Sequence, residues 1–340
     1  MDEGLLRLLA DPESGRPLAL ASGTLEEGLL AATGGAPYPI QTGIPRFTHG
    51  TTLDQRRTAE TFAYKWARRD TFASAGSTRV TTEWLVAKYG FADRNAWRDH
   101  FGGKRVLDAG CGSGLSSSTW LDEEWHGLWV GVDISTAVEV ARERLGGFAE
   151  THFVQADLLA PPFAPETFDT IFSEGVLHHT PSTEQALRAL VPLLRPGGEV
   201  LFYVYRRKAP AREFTDDHVR ALVSELPPDE AWEALRPLTE LGRSLAALQV
   251  EVDVPDVPVL GITAGRYDVQ RLIYWTFAKL FWNDDLSFEE NLHVNFDWYH
   301  PRYAHRQTED EVRSWCGDLG LEIVHFDVQE SGLTVRAVRS

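Results

Sequence analysis

Residues 104–117 read Lys-Arg-Val-Leu-Asp-Ala-Gly-Cys-Gly-Ser-Gly-Leu-Ser-Ser. Val106 and Leu107 have the apolar character of a short buried strand, Gly110, Gly112 and Gly114 end it in a turn, and Leu115 opens a helix. Glycines let the backbone reach φ values closed to other residues and lie against a bound molecule, while the free N–H groups of a helix start face anionic groups. The stretch therefore predicts an α/β, doubly wound, Rossmann-like sheet with its ligand at the carboxyl ends of the strands.

The glycine spacing separates two kinds of ligand. A dinucleotide turn wants G-x-G-x-x-G. This chain has G-x-G-x-G after an acid, Asp108, with Leu115 where the last dinucleotide glycine would fall. That spacing disfavours a nicotinamide cofactor and resembles motif I of the class I S-adenosylmethionine-dependent methyltransferases.

The following residues extend the resemblance. Trp129–Ile134 reads as a second strand ending in Asp133, His152–Asp157 as a third ending in Asp157, and Phe168–Ser173 as a fourth, followed by Glu174-Gly175-Val176-Leu177-His178-His179. Leu193–Phe202 supplies a helix end, a Pro-Gly-Gly turn and a fifth strand. Taken singly, each acid is equally a cap or turn carboxylate; it is their order at successive strand ends that is specific. The resemblance implies S-adenosylmethionine as cofactor, cradled by Asp108, Gly110, Cys111, Gly112 and Gly114. Asp133 with Ile134 is implied for the ribose, Asp157 with Leu158 for the adenine, and Ser173 for the loop facing the methyl group. A seven-stranded sheet is expected, with the cofactor core at 104–205 and a last helix with strands 6 and 7 at 306–340.

Composition narrows the partners. With 33 basic against 50 acidic residues the formal charge is −17, so the surface field repels phosphate backbones and anionic membranes. Two cysteines build no disulfide framework and no long charge-free apolar run occurs. A small-molecule acceptor, no nucleic acid, no membrane and a cytoplasmic setting are the expectations.

Residues 1–50 are expected to form a separate module. Leu5–Leu18 and Tyr38–Phe47 resemble the small Trm112-like, zinc-ribbon-like domain found ahead of some methyltransferases. Where metal-binding members carry two Cys-x-x-Cys pairs this chain has Asp11 with Ser14 and Ala31 with Gly34, so no soft ligand remains for zinc. Residues 51–103 form a helical leader. Its stripe Phe62, Trp66 and Arg69 suits a core face, and related methyltransferases imply a second role, Tyr64 or Trp66 covering the methionine end of the cofactor.

Residues 206–305 are expected to be a mainly helical insertion that builds the acceptor pocket. Between 213 and 256 there are 11 acids against 3 basic residues, with Trp232, Leu235, Leu238, Leu241, Leu245 and Leu248 at helical spacing, which describes a surface helix with a solvated acidic face. Val269–Trp282 is apolar nearly all round and predicts a buried helix, either the insertion's core or a homodimer interface. His293–His305 is expected to be an aromatic and histidine-rich loop. It could supply a base or, through His293, Asp297, His300 and His305, a metal site, but the spacing matches no zinc signature, so no metal is expected.

The implied chemistry is methyl transfer, with oxygen slightly favoured as the acceptor atom. His178 and His179, following the fourth strand, are the first candidates for a base; Tyr203, Tyr205, Tyr303 and His300 come next. The other reading is a methyltransferase-fold protein that binds the cofactor for other chemistry or as a scaffold.

Overall fold

In the computed structural model residues 1–72 and 74–340 are described. The amino-terminal stretch gives α1 (Glu3–Leu6) and strands β1 (Ala19–Gly23), β2 (Gly28–Ala31), β3 (Tyr38–Gln41) and β4 (Ile44–Phe47), then helices α2 (Leu53–Ala67), α3 (Ala75–Lys88) and α4 (Arg94–Phe101). The α/β core follows with β5 (Arg105–Ala109), β6 (Leu128–Asp133), α5 (Ala137–Leu145), β7 (Thr151–Ala156), β8 (Phe168–Glu174), α6 (Thr183–Leu190) and β9 (Leu194–Tyr205). After β9 come α7 (Pro210–Val223), α8 (Pro228–Ala246), the hairpin β10 (Glu251–Val254) and β11 (Gly265–Asp268), α9 (Val269–Thr276) and α10 (Phe288–Tyr299). The chain closes with α11 (Glu309–Asp318), β12 (Leu321–Val328) and β13 (Gly332–Arg339).

Strands β5, β6 and β8 are buried along nearly their whole length because both faces are covered, as a parallel sheet requires. Trp129, Val130 and Val132 in β6 are wholly buried, and each such side chain contributes about 1.5–3 kcal/mol. β5, β6, β7, β8 and β9 pair in parallel, and β13 enters antiparallel between β9 and β12. This arrangement brings the carboxyl ends of five strands to one edge, where the ligand of an open α/β sheet binds.

The sheet is larger than the expected seven strands. It has eleven, in the order β1-β2-β3-β4-β7-β6-β5-β8-β9-β13-β12. The module at 1–50 is not separate, because β4 lies parallel to β7 through Arg46 opposite Gln155 and Phe47 opposite Ala156. Its side chains join the main core, with Leu5, Leu30, Ile40 and Phe47 in one cluster with Val130 and Val154. The partner of β4 lies more than a hundred residues away, and local pattern carries no information on such a pairing. Asp11 ties the module's turns together. It accepts hydrogen bonds from the Ser14 hydroxyl at 2.8 Å, the Glu13 amide at 3.0 Å and the Tyr38 hydroxyl at 3.0 Å.

Two further expectations are corrected. The stretch 293–305 is not a loop: its first half belongs to α10, which begins in a capping box where Ser287 and Glu290 satisfy each other's backbone N–H groups. The apolar helix expected over 269–282 stops at Thr276, and the chain runs irregularly to α10. Asparagine side chains satisfy the backbone released there: Asn295 Oδ1 accepts from Phe281 N at 2.8 Å and Asn291 Oδ1 from Asn283 N at 2.7 Å.

Candidate active site

A cavity of about 740 Å³ opens at the carboxyl ends of the central strands. Its lining divides by element. One wall comes from the sheet and α2: Gly110, Asp133, Ile134, Asp157, Leu158, Val176, and Gln55, Thr58, Phe62 and Trp66. The other comes from α3, the end of β9 and the segment α9–α10, with Trp84, Tyr203, Tyr205, Trp275, Lys279, His293 and Asp297 among its residues.

The strand-end turn is built for close approach. Gly110 sits at φ 91°, and a Cβ there would lie 2.2 Å from a Val176 methyl. Gly112, at φ 51°, packs under the Trp66 indole, whose Nε1 would be 2.7 Å from an added Cβ. Gly110→Ala therefore combines left-handed backbone strain, about 1–3 kcal/mol, with a clash that moves Val176. A lowered urea midpoint together with weakened nucleoside binding is the expected outcome; wild-type values of both would remove the close-approach argument.

Asp133 is buried at the end of β6. Its Oδ1 accepts from Ser135 N at 2.8 Å and Ser135 Oγ at 2.6 Å, and its Oδ2 from Gly112 N at 2.9 Å. Burial pushes this carboxyl up, and the three donors oppose that. One of roughly four lone-pair directions is left, and rotation of the Ser135 hydroxyl would free a second.

Asp157 is fixed from both sides, Oδ2 by Gln55 Nε2 at 2.5 Å and Oδ1 by Leu159 N at 3.0 Å. Gln55 also closes the capping box at the start of α2, so the leader helix is pinned to the third strand end by one side chain. Asp108, by contrast, lies behind the turn. It is buried, accepts from Ser117 Oγ at 2.5 Å, and is pushed up to about 7 by burial, with Asp133 and Glu174 adding to the shift.

Not all the expected site residues line the cavity. Cys111 and Ser173 are buried beneath the turn, Ser173 donating to Ala109 O at 2.8 Å, and Gly112 and Gly114 support it from below. Tyr64 faces away from the sheet, against Trp232 and Phe296 at 6.0 and 5.8 Å, whereas Trp66 and Phe62, each two residues from it, face the cavity. His300 is an internal tie: Nδ1 meets Thr61 Oγ1 at 2.9 Å, Nε2 meets Leu226 O at 3.0 Å, and the ring stacks on Phe296. Tyr303 contributes only its backbone carbonyl.

The two adjacent histidines differ. His178 is wholly buried and stacks on Tyr205 at 3.6 Å, outside the cavity lining. His179 lines the cavity. Its Nδ1 stands 2.6 Å from Tyr303 O, and since a carbonyl only accepts, Nδ1 carries the proton and Nε2 keeps its lone pair. No side chain among the described residues satisfies Nε2. Burial, ahead of all other influences, holds His179 down to about 4, so the ring is neutral at pH 7.

The second wall carries groups to which the sequence gives another role or none, Asp297 being weighed only as a metal ligand. Asp297 is ion-paired with Lys65 and accepts from Tyr205 OH at 2.6 Å. Glu174, at the end of β8, is paired with the wholly buried Lys88 and accepts from Tyr89 OH at 2.8 Å. The Lys88 ammonium lies 3.3 Å from the Trp84 ring centroid and 3.9 Å from that of Tyr203, which fixes Tyr203 in the lining. Spacing held the signal for one set: Glu290, His293, Val294 and Asp297 repeat at three to four residues, one face of α10. Among the described residues no cluster of three or more histidine, cysteine or acidic side chains is arranged to hold a metal.

Residues 107–202 match the family model described as a methyltransferase domain. The chain is 36% identical over 98 residues to the malonyl-[acyl-carrier protein] O-methyltransferase of Enterobacter lignolyticus, covering 29% of this chain and 38% of that one. It is 36% identical over 126 residues to the ubiquinone biosynthesis O-methyltransferase of Aromatoleum aromaticum, covering 36% and 51%. It thus spans about half the length, or less, of these curated relatives. Among solved structures, an S-adenosylmethionine dependent methyltransferase from Mesorhizobium loti is 18% identical with a TM-score of 0.45, over 76% of this chain and 98% of that one. The acid-bearing strand ends, the positive-φ glycine turn and the match over 107–202 together identify this part of the chain as a class I S-adenosylmethionine-dependent methyltransferase domain.

Proposed function

We propose that the chain methylates a small-molecule acceptor from S-adenosylmethionine, with an oxygen nucleophile as the favoured case. The observation that carries this reading is the single cavity that joins the Asp133 and Asp157 strand ends to an aromatic chamber built by α3, β9 and the α9–α10 segment. The residues fit the cofactor: the Gly110 turn admits a ligand where a Cβ could not stand, and Asp133 and Asp157 open onto the same space. When bound, the cofactor supplies a methyl group already activated on a sulfonium.

The chain's part is then binding, orientation and exclusion of water. Asp133, held by Ser135 and Gly112, receives ribose hydroxyls; Asp157 with Leu158 receives the adenine; Trp66 and Phe62 close the space from above. Holding an acceptor in line with the methyl group is worth roughly 7–11 kcal/mol. His179, neutral and with a free Nε2 lone pair, takes or orients the proton of an acceptor hydroxyl. A ring held down to about 4 is a weak base, which suits an acceptor whose proton leaves late.

Calorimetry against S-adenosylmethionine, S-adenosylhomocysteine and NAD tests the reading. Binding of both sulfur nucleosides and not NAD is expected; failure of both would leave the scaffold reading. Once an acceptor is found, His179→Ala is expected to lower turnover by about 10²–10⁴-fold with homocysteine-nucleoside affinity unchanged. Unchanged turnover would leave orientation alone as the source of rate.

A further inference from the structure

Behind the second wall of the cavity, around Trp298, buried basic groups outnumber acids. The Trp298 indole is surrounded by three cations: the Lys279 ammonium at 4.7 Å from the ring, the Arg212 guanidinium at 5.3 Å and the Lys208 ammonium at 5.6 Å. The carboxylate among them is Asp216, and it is fully used. Its oxygens accept from Arg212 Nε at 2.5 Å, Trp298 Nε1 at 2.8 Å, Tyr299 OH at 2.8 Å and the Lys279 backbone N–H at 3.1 Å, four donors for about four lone-pair directions.

Lys208 has its own partners, the carbonyls of Glu330 and Ser331. Asp297, the next acid, is taken by Lys65 and Tyr205, and Glu290 accepts from Ser74 and Ser287. That leaves Lys279. It is 6% exposed, it lines the cavity, and its ammonium makes no hydrogen bond or ion pair with a described side chain. A buried ammonium without an acidic partner is costly, and an anion entering the cavity would offset that cost. Arg271, from α9, lines the same wall.

We propose that the acceptor carries an anionic group, a carboxylate or a phosphate, whose oxygens are received by the Lys279 ammonium in the chamber beside Trp298. The proposal rests on the methyl-transfer reading for the word acceptor, but the anion site itself stands on Lys279 and its surroundings. Burial, with Asp297 opposing it, holds Lys279 down to about 7; a bound anion would reverse that shift. The saturated Asp216 carboxylate keeps the backbone of Lys279 in place, so that the side chain alone is left free to bind.

The test is calorimetry of the full chain loaded with S-adenosylhomocysteine against benzoate, phenyl phosphate and the neutral benzamide, aromatic probes chosen for the Trp84, Tyr203 and Trp275 lining. At least one anion should bind ten-fold or more tightly than benzamide, and which of the two does so separates carboxylate from phosphate. Lys279→Gln should abolish the preference, Lys279→Arg should retain it, and both should keep the wild-type affinity for the nucleoside. Equal binding of all three probes, binding of none, or a preference that survives Lys279→Gln would overturn the proposal. Loss of nucleoside binding by the wild type is a separate result, which sinks the methyl-transfer reading while the probes still report on the anion site.

Discussion

Asp133→Ala is expected to weaken S-adenosylhomocysteine binding by about 10²–10⁴-fold in calorimetry, the largest effect of any single change on the cofactor wall. Hydrogen bonds to a charged group are worth about 1.5–3 kcal/mol each, and two ribose hydroxyls would lose theirs together. A second loss is built into the turn itself. Gly112 N and both donors of Ser135 end on this carboxylate, so its removal also unfastens the glycine turn from β6. Asp133→Asn separates the two contributions, because the amide keeps one acceptor oxygen and the shape. Asn should retain the fold and lose most of the affinity, whereas an Asn variant that binds normally would mean that the ribose is held elsewhere.

This prediction rests on a feature legible in the chain alone. A strand that ends in an acid beside a glycine turn has little freedom, since pleat, turn and chain direction together aim the carboxylate at the sheet's ligand edge. On that ground Asp133 and Asp157 fall at strand ends, and both line the cavity. Residues 107–202, where the family match lies, coincide with the stretch in which strand, turn and helix alternate most regularly.

What could not be read depends on distance or on competing periodicities. The joining of β4 to β7 is set by packing of Phe47 and Ile40 into a core already formed by the main sheet, and an isolated four-residue strand carries no sign of its neighbour. His293–His305 was read as a loop because its aromatic and histidine content masked the three-to-four spacing of Glu290, His293 and Asp297. The capping box Ser287-x-x-Glu290 would have revealed the helix. His300 ends α10 as its C-cap, and its two ring nitrogens find Thr61 and Leu226 instead of the cavity. Tyr64 and Trp66 part for another reason, being two residues apart on α2 and so on different faces.

Asp297→Ala is expected to lower the free energy of unfolding by about 3 kcal/mol, at the low end of the roughly 3–5 kcal/mol lost when one member of a buried ion pair is removed. The low end applies because the Asp297 side chain keeps 21% exposure toward the cavity, while Lys65 keeps 7%. Two elements depend on this carboxylate, for it joins Lys65 of the leader helix α2 and Tyr205 at the end of β9 to α10. Removing it leaves the Lys65 ammonium with the Trp66 ring at 4.2 Å as its near contact, an attraction worth about 0.5–2 kcal/mol and insufficient to replace the pair. Burial would raise the Asp297 carboxyl, but Lys65, His179 and the Tyr205 hydroxyl hold it well below the usual carboxylate range. A depressed native pKa contributes stability above the unfolded value near 3.9 and loses it as pH falls through and below that value. The difference between wild type and Asp297→Ala in urea should therefore be full at pH 7 and shrink below about pH 4. Lys65→Met combined with Asp297→Leu should recover most of the loss, since an apolar pair leaves no charge unpartnered. A double variant no more stable than Asp297→Ala would place the cost in the Tyr205 hydrogen bond and the packing of α10, and the leader helix would then be held over the cavity by Gln55 and its aromatic face rather than by charge.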